Sequence, residues 1–213
     1  MFKVTKLIHF REDVDHAARS RFAERLRGAC DAAGARRTLV EPTLAGVRNG
    51  GDLIAHLQFD DDRRWRSAES GVVAAVDPAV VAHVDGVEYV GEAAGGTESG
   101  AVGGVYRTLL LRVSPEASAA VVERFEADLL RMPRYLPSMR AWQLSRVRRA
   151  EGASPWTHVW EQEFADLDAL TGSYLAHPVH WAHVDRWFDP ECPDIIVRDR
   201  VCHSFCALDQ PVV

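Results

Sequence analysis

Lysine is almost absent from this chain of 213 residues. Lys3 and Lys6 are the only two among 25 basic residues, so the other 23 are arginines. Acidic residues outnumber basic ones, 31 to 25, and the net charge is −6. This balance disfavours a nucleic-acid partner, because phosphate backbones attract basic surfaces. We therefore expect no binding to nucleic acid.

Long hydrophobic runs are also missing, and no segment has the length of apolar sequence that a membrane-spanning helix requires. The N-terminal sequence MFKVTKLIHFRED reaches charged residues at once and lacks the apolar core of a signal peptide. We expect no contact with a membrane and a cytoplasmic location.

Cysteine is sparse, and Cys30, Cys192, Cys202 and Cys206 show no paired C-x-x-C spacing. Hydrophobic residues make up 47% of the chain, which is enough for a packed core without a disulfide framework. We expect reduced thiols with mostly structural roles.

Two stretches far apart in the chain begin the same series of predicted elements. FKVTKLIHF (2–10) and VYRTLLLRV (105–113) alternate apolar and polar residues, as half-buried strands do. Each is followed by a helical pattern, with Phe125 and Leu129 on the apolar face of the second. Further strands on either side of a second helix are predicted at TLVEPTLAGV, LIAHLQF and VEYVGE in the first half, and at AWQLSRVRR, WTHVWEQEF and DIIVRDRVCHSF in the second.

Each half therefore predicts the order β-α-β-β-α-β, the ferredoxin-like arrangement of the α+β class. Both helices cover one face of such a sheet, so two copies can pack sheet to sheet or close into a barrel. We expect a degenerate ferredoxin-like domain at 1–94, a glycine-rich linker at 95–103 and a second domain at 104–213. The chain would then be an intramolecular pseudo-dimer, and further association of two chains stays open.

A shorter echo links VDPAVVAHVD (76–85) with AHPVHWAHVD (176–185). The later segment has His177 and His180 where the earlier one has Asp77 and Val80. If the two segments are equivalent, the duplicated chain has retained the shared residues in both copies but these histidines only in the second. We therefore expect one active site per chain, in the second half.

The second half also carries a family resemblance, in the segments VYRTLLLRV, LPSM, WTHVWEQEF, SYLAHPVHWAHV and VRDRV. Residues 104–208 resemble the stress-responsive dimeric α/β-barrel family, known as Dabb, and the Y-x-x-HP-x-H element is the most specific match. The first half looks like a diverged copy without this element. The family includes polyketide cyclases of the olivetolic acid cyclase type and also members without an established activity, so it does not by itself define a reaction.

The resemblance to these cyclases implies roles for particular residues. It places the catalytic histidine at His180, a catalytic tyrosine at Tyr174 and a second pocket histidine at His158. Arg107 stands where the cyclases have a histidine, and a permanent cation cannot act as a base but can hold a carboxylate or phenolate. The other substrate-binding candidates are Leu109, Leu111, Trp160 and His177.

The residues themselves leave the two catalytic roles open. Pro178 suits the first turn of a helix, so His180 would lie near the positive end of that helix, where a neutral ring can act as a base. A histidine that only packs at a helix start fits the same pattern. Tyr174 fits a donor to a developing oxyanion, and it also fits simple packing.

His158 and Trp160 lie two residues apart on a predicted strand and share a face. If Val159 faces the helices, both side chains face the cavity between the sheets. The alternative is a cross-strand pair that binds no ligand.

The run of His177, His180 and His183 raises the question of a metal site. Positions three apart are neighbours on a helix, but positions six apart point in different directions, so a regular helix does not bring all three rings together. We predict no metal and no other cofactor, with haem ligation as a less favoured alternative. His183 matches His83 in the echo and is interpreted as part of the shared frame.

These features favour a cofactor-independent enzyme of secondary metabolism, such as antibiotic biosynthesis, acting on a hydrophobic or aromatic polyketide-like substrate. His180 would remove a proton and Tyr174 would bind the enolate oxygen, with aldol-type ring closure or dehydration following. One alternative is a cofactor-free oxygenase that uses the same base. Another is a non-catalytic module that binds a small ligand or a partner protein.

Overall fold

The computed structural model describes residues 1–93, 95–96 and 104–213. The strands in these residues are β1 Phe2–Phe10, β2 Arg37–Pro42, β3 Leu53–Phe59, β4 Val81–Val90, β5 Gly95–Gly96, β6 Val105–Leu111, β7 Met139–Glu151, β8 His158–Phe164 and β9 Cys202–Ala207. The α-helices are α1 His16–Ala32, α2 Asp62–Ala74 and α3 Ala119–Leu129. Shorter helical segments are the 3-10 helices Met132–Tyr135 and Asp185–Trp187 and the π-helices Ala169–Tyr174 and His180–Val184.

The two halves form two antiparallel four-stranded sheets, in the orders β2-β3-β1-β4 and β7-β8-β6-β9. Strands β4 and β7 pair and join the two sheets along one seam. At the opposite seam, isolated bridges connect Thr43 with Cys206 and Arg48 with His203. The sheet therefore closes almost completely, which confirms the predicted α+β fold of two ferredoxin-like halves forming a barrel.

Both faces of this sheet are buried, because the helices cover the outside and the two halves face each other inside. In the first half, Val4 and Ile8 of β1 pack outward with Phe22 of α1 and Trp65 of α2. The alternate residue Leu7 points inward, into a core that it shares with residues of the second half such as Tyr106, Leu110 and Val159. A strand of the barrel thus alternates between two cores rather than between core and solvent.

A polar network lies inside the barrel and joins the two halves. The Nζ atom of Lys3 lies 3.2 Å from Oε2 of Glu161 and donates to Gln143 at 2.8 Å, and both charged side chains are fully buried. The hydroxyl of Tyr106 donates to Oε1 of Glu161 at 2.9 Å. His56 lies 3.5 Å from the same oxygen, and burial lowers the pKa of its ring to about 4. A buried ion pair of this kind ties one half to the other, because either charge alone would be costly in the interior.

The second half departs from regular helix after β8. Residues 169–184 contain two π-helical segments, with the amide of Leu175 donating to the carbonyl of Leu170 at 3.3 Å. Gly172 lies inside the first segment and Pro178 lies between the two. Such π-helical turns are rare in proteins, and a large share of those that occur lie at functional sites.

The echo between 76–85 and 176–185 is not a structural equivalence. His83 lies on β4, whereas His183 lies in the second π-helical segment. The interpretation of His183 as a repeat of His83 is therefore wrong. The strand ladders give the real correspondence, because Phe2 pairs with Phe59 and Val90 while Val105 pairs with Phe164 and Ala207.

Two positions of the predicted linker belong to the described residues. Gly95 and Gly96 form β5 and pair with Trp142 and Ala141 of β7, which continues the edge that pairs with β4. The remaining positions of the predicted linker, 97–103, lie outside the described residues.

Candidate active site

A cavity of about 440 Å³ lies between the outer face of the second sheet and the irregular helices. Its size is typical of sites that bind small molecules. The lining residues are Gly46, Arg48, Arg107, Leu109, Trp160, Thr171, Tyr174, Leu175, His180, Val184, Asp185, Phe188, Val201, His203 and Phe205. We refer to it as the C-half pocket.

Three neighbouring strands form the floor of the C-half pocket. Leu109 on β6 pairs with Trp160 on β8 and with His203 on β9. Arg107 lies two residues before Leu109 and therefore on the same face. Val159 faces the barrel interior. Trp160 would face the space between the sheets only if Val159 faced the helices. That expectation is therefore wrong, and Trp160 faces the helices instead.

Tyr174 and His180 form the opposite wall, at the end of one π-helical segment and the start of the next. Their rings meet edge to face with centroids 4.8 Å apart. The tyrosine ring also packs edge-on against Trp160 at 6.2 Å. The two residues that the resemblance marks as catalytic therefore lie in contact within one cavity.

Arg107 is a buried cation without a counter-ion among the described residues. Its side chain is 4% exposed, and its guanidinium donates to the amide oxygen of Gln162. The guanidinium carbon lies 5.6 Å from the ring centre of Trp160 and 5.3 Å from that of Tyr174. Burial lowers the pKa of Arg107 from its usual value, although Tyr174 offsets part of this effect. A charge in this position is stabilised when an anionic ligand enters the pocket.

His180 has an acidic neighbour in the chain. Its Nδ1 atom lies 3.1 Å from Oδ1 of Asp185, although the two groups are not aligned as a good hydrogen bond. A carboxylate at Nδ1 favours the tautomer with its proton on that atom, which leaves Nε2 as the basic nitrogen. Sequence reasoning missed Asp185, because the dyad depends on the irregular backbone that follows His180.

Several buried polar atoms around the C-half pocket have no hydrogen-bond partner among the described residues. They are Nε of Arg107, Nε1 of Trp160, the hydroxyl of Tyr174, Nδ1 of His180 and Nε2 of His203. Buried polar groups are normally satisfied, and each exception has a cost. Their convergence on one cavity indicates a site whose hydrogen bonds are completed by a ligand.

Burial, together with the charges around the cavity, keeps His203 on the pocket floor neutral. Burial, followed by Arg107 and Arg48, lowers the pKa of His203 to about 2. Burial raises the pKa of Tyr174, and Arg107 opposes this rise. The tyrosine therefore stays protonated and can donate to an oxygen anion that it shares with Arg107.

The first half contributes one edge of the cavity. The loop between β2 and β3 crosses to β9, where the amides of Arg48 and His203 each donate to the carbonyl of the other, at 3.0 and 2.9 Å. Gly46 in the same loop has φ of 100°, and a side chain there would approach Phe205. The C-half pocket is thus built from both halves, and Gly46, Arg48 and His203 could not be identified as pocket residues from the sequence.

Three predicted site residues do not reach this cavity. Leu111 and His158 form the next pair along the β6–β8 ladder, under α3. Nε2 of His158 lies 3.1 Å from Glu126 and its Nδ1 lies 2.8 Å from the Thr157 hydroxyl, so both ring nitrogens are engaged. His177 is half-buried, its ring lies 6.0 Å from that of Tyr135, and its Nδ1 accepts the amide of Val179. Arg107, Leu109, Trp160, Tyr174 and His180 are the predicted residues that the structure brings together.

The strand correspondence shows which residues of the first half occupy the positions of the pocket residues. Arg107, Trp160 and His203 correspond by pairing to Val4, Ala55 and Gly86 of the first half. Val4 and Ala55 belong to the packed core under α1 and α2. The equivalent positions of the first half therefore carry none of the three polar side chains that line the C-half pocket, and a single active site per chain stays a prediction.

Comparison with known proteins bears on the second half most directly. Residues 105–202 match the family described as the stress responsive A/B barrel domain, Dabb. The second half is a Dabb domain. No curated protein matches the sequence of the chain.

Solved structures resemble the whole chain in fold. An anthrone oxidase-like protein is 12% identical, with a TM-score of 0.68 over 98% of this chain and 91% of its own. A proposed monooxygenase from Fusobacterium nucleatum is 10% identical, with a TM-score of 0.61 over 100% of this chain and 95% of its own. One from Lactobacillus acidophilus is 15% identical, with a TM-score of 0.55 over 100% and 97%. At such identities the likeness concerns the fold, which here extends to the tandem arrangement of two halves. Among the described residues, no helix is long and apolar enough to cross a membrane.

Proposed function

We propose that this protein is a cofactor-independent enzyme that removes a proton from an anionic polyketide-like substrate and closes a ring by aldol condensation. The observation that supports it is the set of groups in the C-half pocket. His180 has a carboxylate at one ring nitrogen, and within the described residues the Tyr174 hydroxyl has no well-formed hydrogen bond and the buried Arg107 has no carboxylate partner. A base, an oxyanion donor and an anion-binding group are what this chemistry requires.

The reaction assigns one task to each group. Nε2 of His180 takes a proton from a methylene between two carbonyls, and the resulting enolate oxygen accepts a hydrogen bond from Tyr174. The enolate carbon then attacks a second carbonyl of the same chain, and the new alkoxide takes the proton back from the imidazolium. Loss of the hydroxyl with a neighbouring proton, as water, gives a cyclic enone, and enolisation of the remaining ring ketones gives the aromatic ring. Arg107 holds the carboxylate or a phenolate of the substrate throughout.

A cofactor-free oxygenase is the second candidate, because the solved structures with a similar fold include an anthrone oxidase-like protein and proposed monooxygenases. It would use the same first step, with the substrate carbanion reacting with dioxygen instead of a carbonyl. The two reactions differ in whether oxygen is consumed.

The test uses an aryl-substituted triketo carboxylate as substrate for the full chain, with the aromatic product followed by absorbance in air and under nitrogen. We expect turnover in both atmospheres. His180→Ala should lower kcat/KM by about 10²- to 10⁴-fold, and Tyr174→Phe by roughly 10- to 10³-fold. Turnover that requires oxygen would replace the cyclase by the oxygenase.

The matched control is His183→Ala, since this histidine lies in the same π-helical segment but does not line the cavity. It should retain activity and fold as judged by circular dichroism. If His180→Ala keeps its turnover as His183→Ala does, the proposed base is wrong. If the unmodified chain binds the substrate without turnover, the protein is a binding module.

A further inference from the structure

A second group of side chains with metal-ligand chemistry lies in the first half, away from the C-half pocket. His9 of β1 and His83 of β4 are directly opposite each other in the strand ladder. Asp85 is two residues beyond His83 and so points to the same face. One ligand atom from each of the three lies within 4.8 Å of the other two. We call these residues the His-His-Asp cluster.

We propose that the His-His-Asp cluster binds a divalent transition-metal ion such as Zn²⁺, through Nε2 of His9, Nε2 of His83 and Oδ2 of Asp85. Two imidazoles and one carboxylate are a ligand set that zinc accepts, with a fourth position open to water. Sequence reasoning missed this site, because β1 and β4 come together only in the folded sheet.

The spacing of the ligand atoms fits such an ion. Oδ2 of Asp85 lies 3.3 Å from Nε2 of His9 and 3.5 Å from Nε2 of His83. With metal–ligand distances of about 2.0–2.1 Å, neighbouring ligands of a tetrahedral zinc ion are roughly 3.3–3.4 Å apart. Little movement of the backbone is therefore needed to place an ion between them.

Asp85 is held in position from the other half of the molecule. Its side chain is fully buried, and Oδ1 accepts the amide of Ala153 at 2.7 Å, while Oδ2 faces the two histidines and accepts the thiol of Cys202 at 3.6 Å. Gly152 has φ of 102°, and a side chain there would collide with this carboxylate. A carboxylate fixed through one oxygen by a backbone donor is the kind of outer support that metal ligands usually have.

The histidines supply a second observation that points to a ligand. Nε2 of His9 is buried and has no well-formed hydrogen bond among the described residues, although it faces Asp85. The two rings stack with centroids 3.8 Å apart and an angle of 17° between their planes. A metal ion lies in the plane of each imidazole that binds it, so one ring has to turn out of the stack. The His83 side chain is 43% exposed and has room to do so.

The surroundings contain one opposing charge. Arg200 acts on the pKa of His83 in the same direction as burial does, towards the neutral ring. Arg200 is also a cation and would repel the ion. Asp85 is the balancing anion, and the interactions with His9 and the amide of Ala153 hold its pKa at about 2 despite the opposing effect of burial.

The test is a titration of the full chain, first freed of metal with a chelator, with Zn²⁺ in a calorimeter. We expect one ion per chain, a rise in the melting temperature with Zn²⁺, and a loss of affinity of at least about 10-fold in His83→Ala. Co²⁺ should give the visible absorption of a tetrahedral site, and this band should disappear in the same variant.

His16→Ala and His180→Ala are the controls, since the first residue is exposed at the start of α1 and the second belongs to the C-half pocket. Both should bind Zn²⁺ like the unmodified chain. Absence of saturable binding overturns the proposal, and so does binding that His83→Ala leaves intact or that His180→Ala removes.

Discussion

The carboxylate of Asp185 lies 3.1 Å from Nδ1 of His180, and 48% of this aspartate side chain is exposed to solvent. The pair resembles the base and orienting acid of many enzymes, but the acid is at the surface rather than in the core. Its effect on the imidazole should therefore be smaller than that of a buried partner, since solvent screens the interaction.

Asp185→Asn should lower kcat by roughly 10- to 100-fold with little change in KM, because the ring loses its orienting partner but not its place in the pocket. Asp189→Asn, at an exposed position in the same region, is the control. Equal loss of activity in both variants would indicate a structural effect.

Arg107→Met should leave the free energy of unfolding unchanged or raise it, because it replaces a buried unpaired charge with an apolar side chain of similar length. The same change should weaken binding of a dihydroxybenzoate by about 30-fold or more, the cost of losing a buried charge pair. Binding of the corresponding benzamide should hardly change. Calorimetry with both ligands and thermal unfolding check this, and a variant that still prefers the carboxylate would show that Arg107 does not hold the anion.

Glu161→Gln should destabilise the protein by about 3–5 kcal/mol, because it leaves the Lys3 ammonium buried without its carboxylate. Addition of Lys3→Met to this variant should recover part of the loss. Urea unfolding provides the measurement, with the exposed Glu116→Gln as control. A double variant that is less stable than Glu161→Gln alone would contradict the role given to the ion pair.

Acid should weaken the fold partly through His56. Its pKa falls from about 6.5 in the unfolded chain to about 4 in the folded one, so the neutral ring stabilises the fold above pH 6.5. This contribution, roughly 3 kcal/mol in full, is lost as the pH falls from 6.5 through 4. The free energy of unfolding of His56→Gln should therefore change less steeply in this range. The exposed His16→Gln should follow the unmodified chain, and parallel curves for all three proteins would rule out the contribution of His56.

The strand pattern of the sequence was sufficient to predict the fold, and strands β1 and β3 show why. The limits of β1 and β3 agree with the predicted segments 2–10 and 53–59. Both strands end at turns or charged loops that are visible in the sequence. The start of α3 is less evident from the sequence, because Ser118 is the N-cap and Ser114 lies in a separate turn. Both serines are good caps, and only packing decides between them.

The sequence does not determine which face of β8 points into the barrel. Val159 and Trp160 are both fully buried, one inside the barrel and the other under the helices. Alternation shows that neighbours lie on opposite faces, but it identifies the solvent side only when one face is polar. In a strand buried on both sides the choice depends on the whole assembly.

The candidate site was predictable where a local motif carried it and not elsewhere. Tyr174 and His180 lie within one short element of the sequence, and the structure places them in contact. Arg48 and His203 meet only because a loop of one half reaches the last strand of the other. Their approach depends on the closure of the barrel, and no spacing in the sequence encodes it.

The unequal seams of the barrel bear on how the molecule moves. Strands β4 and β7 share a ladder from Gly86–Glu151 to Tyr89–Val147, whereas the edges of β2 and β9 are linked by two isolated bridges. Amide protons at the bridged seam, such as those of Arg48 and His203, should exchange with deuterated water sooner than those of Glu88 and Val147. Fluctuations of the structure would then concentrate on the side where the loop of the first half borders the cavity, and the continuous ladder would act as the hinge.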